Sequence, residues 1–145
     1  MEHIQPDMDE GQEFEGPLQT LSMERMLAFS GGPIATPDWP AKNLHTNFEK
    51  AKDAGLSAPI ASGLQYEGHL LRLLQDLFGN AWPQGGKMRI KYPRPIMAGD
   101  VVQAKVRVKS KVLCDAVVTY ELDVWCEKQD KEKVLVGTAS CSLPL

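Results

Sequence analysis

His45 and the helix start that follows it are the residues of this chain best suited to chemistry. Both lie in the run NLHTNFEKAKDAGLSAPIASGLQ, from Asn43 to Gln65. An imidazole titrates near neutral pH and can therefore take or give a proton under physiological conditions. One short helix later, PIASGLQ opens a long apolar helix with small residues, whose first backbone N–H groups can receive developing negative charge. A base followed by an anion-binding helix end is what chemistry on an acyl carbonyl uses. The structural alternative is a surface histidine in a loop, with small residues that let a helix pack tightly on a sheet. Spacing alone leaves both open.

The elements that must position these groups divide the chain into a helical first half and a strand-rich second half. Residues 1–12 are polar and acidic and read as a flexible tail, His3 included, and residues 13–145 as the domain. A short strand is expected around Phe14–Thr20. Ser22 reads as an N-cap for a helix over Met23–Phe29 that stops at Gly31–Gly32. The Gly- and Pro-rich SGGPIATPDWPAKNLH is irregular, and irregular segments on a scaffold are where binding groups tend to sit. Asn47 can cap a helix over Phe48–Ala54, with Gly55 as its stop. The longest helix is predicted over Ile60–Phe78, with Ile60, Leu64, Leu71, Leu74 and Phe78 on its apolar face and Leu70, Leu73 and Leu77 widening it.

A helix this apolar needs a sheet or a partner to cover it. Val102, Ala104, Val106 and Val108 alternate with polar residues, as do Val118, Tyr120, Leu122, Val124 and Cys126, which is the period of strands with one wet face. Residues 133–143 and Lys87–Tyr92 supply two more strands. Short polar connections predict consecutive antiparallel hairpins. The expected fold is α+β, a curved antiparallel sheet wrapped around one long central helix.

Composition narrows the function. At 145 residues the chain is long enough to bury a core as one domain. A net charge of −3 makes no electrostatic case for nucleic acid or an anionic membrane. Lys105, Arg107, Lys109 and Lys111 alternate along one strand and read as a solvated sheet face. Cys114, Cys126 and Cys141 are odd in number and lack metal-ligand spacing, which fits a reducing compartment. The N-terminus has no basic and then apolar leader pattern, and no apolar run reaches membrane-spanning length. A cytoplasmic protein is expected.

Four stretches together carry a family resemblance: AFSGG at Ala28–Gly32, NLHTN at Asn43–Asn47, PIASGLQ at Pro59–Gln65 and IKYPRPIMAGDVV at Ile90–Val102. With them the chain resembles the MaoC-like acyl dehydratases, which include the (R)-specific enoyl-CoA hydratases and have the hot-dog fold. The resemblance spans roughly Phe14 to Leu143. It implies a single hot-dog domain, a homodimer, an acyl thioester on CoA or acyl carrier protein as substrate, and no metal or redox cofactor.

The family's catalytic residues carry over unevenly. In the hydratases a pattern like S-G-D-x-N-P-[LIV]-H supplies an Asp and a His that share one water. Leu44–His45 match its end, which makes His45 the implied base. The place of the Asp falls on Pro40 when counted back from His45, and on Gly32 when counted on from Ser30–Gly31. The chain therefore carries an insertion, roughly PIATPDWP, and Asp38 within it is the candidate replacement; otherwise Asp38 is a turn residue. Asn47 stands where relatives often carry Asp and either orients water or caps a helix. The oxyanion donor of the relatives maps to the Gly63 N–H, where glycine permits close approach and the helix dipole favours enolate-like charge; packing is the other reason for a glycine there. Ser62, Leu64, Trp39 and Trp82 are candidate substrate-binding residues, the two tryptophans as pocket walls or core. Lys42, Lys87, Arg89 and Arg94 are candidate contacts for CoA phosphates or plain surface cations. His69 reads as a core or interface histidine. Glu67 stands on the helix where some hot-dog thioesterases place a catalytic carboxylate. Three functions follow: a hydratase or dehydratase of an enoyl or 3-hydroxyacyl thioester, a thioesterase, and a catalytically inert acyl-thioester-binding subunit.

Overall fold

The computed structural model describes residues 7–145. Its frame is a six-stranded antiparallel sheet ordered β1-β4-β5-β6-β3, with the short β2 also paired to β4. The strands are β1 (Glu13–Glu15), β2 (Gln19–Thr20), β3 (Lys87–Lys91), β4 (Val101–Cys114), β5 (Val117–Lys128) and β6 (Lys133–Pro144). The last three form the expected meander. Cys114 pairs with Val117 across a two-residue turn in which Asp115 takes a positive φ of 51°, a conformation that Asp tolerates better than most residues. The alternation read from the sequence is the alternation of burial: Val102, Ala104, Val106 and Val108 on β4, and Val118, Tyr120, Leu122, Val124 and Cys126 on β5, all face the core. This curved sheet around a long helix is the architecture expected from the sequence.

The helices are α1 (Met23–Ser30), α2 (Phe48–Asp53), α3 (Gly63–Phe78) and the short α4 (Ala81–Gly85). Ser22 caps α1 by accepting from the Arg25 N–H at 3.2 Å, and Asn47 caps α2 by accepting from the Lys50 N–H at 3.0 Å. α3 lies on β4, β5 and β6 through Tyr66, Leu70, Leu73, Leu74 and Phe78, all buried. It starts three residues later than the apolar pattern predicts. Ile60 is held extended by a bridge to Met97, and the Ala61 N–H donates to the Ile96 carbonyl at 2.8 Å. Main-chain pairing there outcompetes helix formation. Two of the residues expected on the apolar face, Leu64 and Leu71, are exposed.

Two further expectations change. The strand expected over Phe14–Thr20 is split at Gly16–Leu18 into β1 and β2, which pair with β4 at Phe14↔Val106 and Gln19↔Val102. The tail expected over residues 1–12 is not free along its length. Residues 1–6, His3 among them, lie outside the described residues. Residues 7–12 dock on the sheet: Met8 is buried, its N–H donates to the Tyr120 hydroxyl at 3.3 Å, and Gly11 and Gln12 exchange main-chain bonds with Val108 at 2.8 and 2.9 Å. A single buried methionine and unpaired main chain on β4 outweigh the polar character of the segment.

Candidate active site

Three of the four sequence stretches that carry the resemblance meet at the start of α3, and the fourth, AFSGG at the end of α1, is tied to them through Asn43. Leu44 and His45 zip onto the helix lead-in: the Ile60 N–H donates to the Leu44 carbonyl at 3.2 Å, and His45 Nδ1 lies 2.8 Å from the Ile60 carbonyl oxygen. That oxygen only accepts, so Nδ1 carries the proton, and in the neutral imidazole Nε2 keeps its lone pair. The turn that aims the ring is held by Asn43. Its Oδ1 accepts from the His45 N–H at 2.8 Å, and its Nδ2 donates to the Ser30 carbonyl at the end of α1, also at 2.8 Å. Thr46, buried beside it, donates through Oγ1 to the Ala41 carbonyl at 2.7 Å. The chain closes on α1 because Gly31 has no side chain. A Cβ there would come within 2.9 Å of both Pro40 Cβ and Trp39 Nε1.

His45 opens into a cleft of about 530 Å³ with mainly apolar walls. Ala61, Ser62, Gly63 and Leu64 line it at the N-terminus of α3, together with Leu56, Ile60, Tyr66 and Tyr92 to Pro95. Ser62 has the extended backbone of an N-cap but makes no side-chain cap bond. The first-turn N–H groups of α3 are therefore not capped by it, and the helix dipole directs positive potential into the cleft. A base with a free lone pair and an anion-favouring helix end share one cavity. That arrangement can remove a proton from water or substrate and stabilise negative charge on an adjacent carbonyl oxygen.

The remaining candidates fall in other places. Asp38 is exposed in the inserted loop and does not line the cleft that His45 enters. Its turn, between Pro37 and Trp39, is on the surface, so the loop does not carry the carboxylate inward. Asn47 is committed to capping α2. Trp82 is a core residue: it is buried and stacks on Phe78 with centroids 6.3 Å apart, beyond the far end of α3 from the cleft. Trp39 packs against Gly31 and is not among the cleft residues. Leu64 and Ser62 do line the cleft, as does Arg94, whereas Lys42, Lys87 and Arg89 do not. Among the described residues, no three His, Cys, Asp or Glu side chains cluster as metal ligands would.

Two residues of the site were not singled out in the sequence. Asn43 was only the edge of a motif, yet it fixes the His45 turn from both sides. Tyr92 was read as the end of a strand. It lies against α3, its hydroxyl donating a hydrogen bond to Glu67 and its ring meeting Tyr66 edge-on at 5.6 Å and 87°. Burial, and then the bond to Glu67, push the Tyr92 phenol above its ordinary range, and burial with Cys126 nearby pushes Tyr66 up to about 12. Both stay protonated at neutral pH. The signal for Tyr92 lay in its position between a strand and Pro93, where the chain must turn back over the helix.

Comparison with known proteins points the same way in fold. No family model matches the sequence, and no curated protein matches it. Solved structures do match along nearly the whole chain. One is a MaoC-like dehydratase from Rhodospirillum rubrum, 19% identical with a TM-score of 0.73, covering 94% of this chain and 93% of that one. Another is the (R)-hydratase from A. caviae involved in PHA biosynthesis, 21% identical with a TM-score of 0.65 over 94% of this chain and 98% of that one. A third is the HadBC 3R-hydroxyacyl-ACP dehydratase complex from Mycobacterium tuberculosis, 16% identical with a TM-score of 0.64 over 97% and 100%. The chain has the hot-dog fold of the MaoC-like proteins. At these identities the likeness is one of fold, and the chemistry rests on the cleft itself. Among the described residues no helix is long and apolar enough to cross a membrane.

Proposed function

We propose that this protein is a MaoC-like hydratase or dehydratase of an enoyl or 3-hydroxyacyl thioester. The observation that carries the reading is the 2.8 Å contact of His45 Nδ1 with the Ile60 carbonyl. It leaves Nε2 as a base in the cavity that also holds the N-terminus of α3. In hydration, Nε2 takes a proton from water while the hydroxyl adds to the β-carbon. The electron pair moves to the carbonyl oxygen, which the Gly63 N–H and the helix dipole stabilise as an enolate. The imidazolium then returns the proton to the α-carbon, so one residue closes the cycle, and dehydration is the reverse. Ser62 and Leu64 contact the substrate in this reading. CoA or phosphopantetheine enters as part of the substrate, and no further cofactor is invoked. A cytoplasmic homodimer completes the proposal. It is supported by β3, whose outer edge has no partner strand among the described residues, and by the exposed Leu64 and Leu71 on α3.

The exposed Asp38 favours a second reading, an acyl-thioester-binding subunit without turnover. A thioesterase reading has less support, since the Glu67 carboxylate that would activate water is engaged by Tyr92. The test is ultraviolet absorbance of crotonyl-CoA with purified protein, followed together with free thiol. Loss of the enoyl band without thiol release, reduced roughly 10²–10⁴-fold in His45→Ala, is the expected result. Binding without turnover of any enoyl-CoA would replace it with the inert subunit, and thiol release with the thioesterase.

A further inference from the structure

Tyr92 is held in the cleft from several directions. Its main chain follows the last pair of β3, Lys91↔Val136, and precedes Pro93 and Pro95, whose fixed φ stiffens the turn. Its ring rests edge-on against Tyr66, and its hydroxyl is bonded to Glu67. Glu67 is one helical turn beyond Gly63, so the two share a face of α3 and the ring lies along that turn. A Cβ on Gly63 would come within 2.8 Å of the Tyr92 ring carbons. The ring therefore fills the space over the first residue of α3, while remaining 42% exposed as an outer wall. This contact is itself sufficient reason for glycine at position 63.

We propose that Tyr92, pinned by Glu67, is the specificity-determining wall of the cleft and restricts it to short acyl groups. The inference rests on the acyl-thioester reading above. With the thioester carbonyl oxygen at the Gly63 N–H, the acyl chain lies beside the ring that packs on Gly63, in a cleft whose other apolar lining includes Ile60, Leu64 and Tyr66. Because the phenol O–H donates its hydrogen bond to Glu67, Tyr92 acts by shape and not as a proton donor to substrate. A ring fixed at both its edge and its hydroxyl yields less than one held by packing alone, so it discriminates by exclusion.

The test compares butyryl-CoA and octanoyl-CoA binding by calorimetry in the full chain, in Tyr92→Phe and in Tyr92→Ala. The expected result is that Tyr92→Ala shifts the octanoyl-to-butyryl affinity ratio by at least about tenfold towards octanoyl, with a smaller shift in the same direction for Tyr92→Phe. An unchanged ratio in Tyr92→Ala overturns the wall while leaving the acyl-thioester reading intact. Failure of the unaltered protein to bind these acyl groups as either CoA or phosphopantetheine thioesters overturns that reading and the wall with it. A ligand-free check guards against a misfolded variant. Gly63→Ala should lower the urea midpoint in the native background and not in Tyr92→Ala; equal losses in both would overturn the placement of the ring on which the proposal depends.

Discussion

Along β4 and β5, from Val102↔Lys128 to Cys114↔Val117, one long ladder pairs the main chains while alternate side chains fill the core. The cleft is built the other way. Residues 43–46, 60–64 and 92–97 come from distant parts of the chain and meet through a few individual hydrogen bonds. In the sheet a lost contact is shared among many neighbours of the same kind. In the cleft each bond has a distinct task, such as fixing the His45 tautomer or the turn that aims its ring. The sheet is thus a source of stability with little positional chemistry, and the cleft has positional chemistry with little redundancy. Substitutions in the two regions should separate accordingly.

The largest effect on stability is expected in the sheet. Leu122 is completely buried opposite Ala139 on β6 and Val108 on β4. Leu122→Ala should cost about 2–5 kcal/mol in urea denaturation, with the activity of the remaining folded protein close to that of the parent. A loss in activity per folded molecule comparable to that of His45→Ala would break the division between scaffold and site.

Asn43→Ala should show the converse. It strands the Ser30 carbonyl and the His45 N–H, both of them part-buried, for a cost of about 1–3 kcal/mol. The effect on turnover should exceed what that destabilisation explains, because the His45 ring loses its aim. Urea midpoints measured alongside kcat give both quantities. Asn43→Asp sharpens the comparison: it can still accept from the His45 N–H but cannot donate to Ser30. If it restores turnover without restoring stability, the His45 bond is the functional half of the Asn43 contact.

The same division explains what could be read from the sequence. The strands were legible because period-2 burial is a local, repeated signal, and Val102 to Val108 display it without interruption. The caps at Ser22 and Asn47 were legible because their chemistry is confined to one turn. The start of α3 was not, since Ile60 and Ala61 are claimed by Met97 and Ile96, more than thirty residues away. Tyr92 was missed for the same reason: its role depends on Glu67 and Gly63, which no local pattern links to it. His45 was found because its residue type alone draws attention, and its tautomer became visible only with the Ile60 carbonyl beside it. Residues 7–12 were misjudged because composition does not reveal that β4 has main-chain groups left to pair.

A subtler contrast lies between two histidines, His45 in the turn before α2 and His69 on α3. His45 has its Nδ1 proton engaged, whereas His69 Nε2 is buried without a hydrogen-bond partner among the described residues. Burial, with Arg25 of α1 adding to it, holds the His69 pKa below its ordinary value of 6.5. The unfolded chain therefore takes up a proton on His69 at a pH where the folded chain does not. Folding stability should be unaffected by this residue above about pH 6.5 and should decline as pH falls below it, until the folded histidine also protonates. His69→Gln removes the titrating group but keeps a polar side chain of similar reach. Urea midpoints for parent and variant, taken from pH about 7.5 down to about 5, should converge at the acid end if the parent is the more stable at neutral pH, and diverge in favour of the variant if it is not. Parallel curves would mean that His69 protonates equally in both states, and that its buried nitrogen finds a partner in solution.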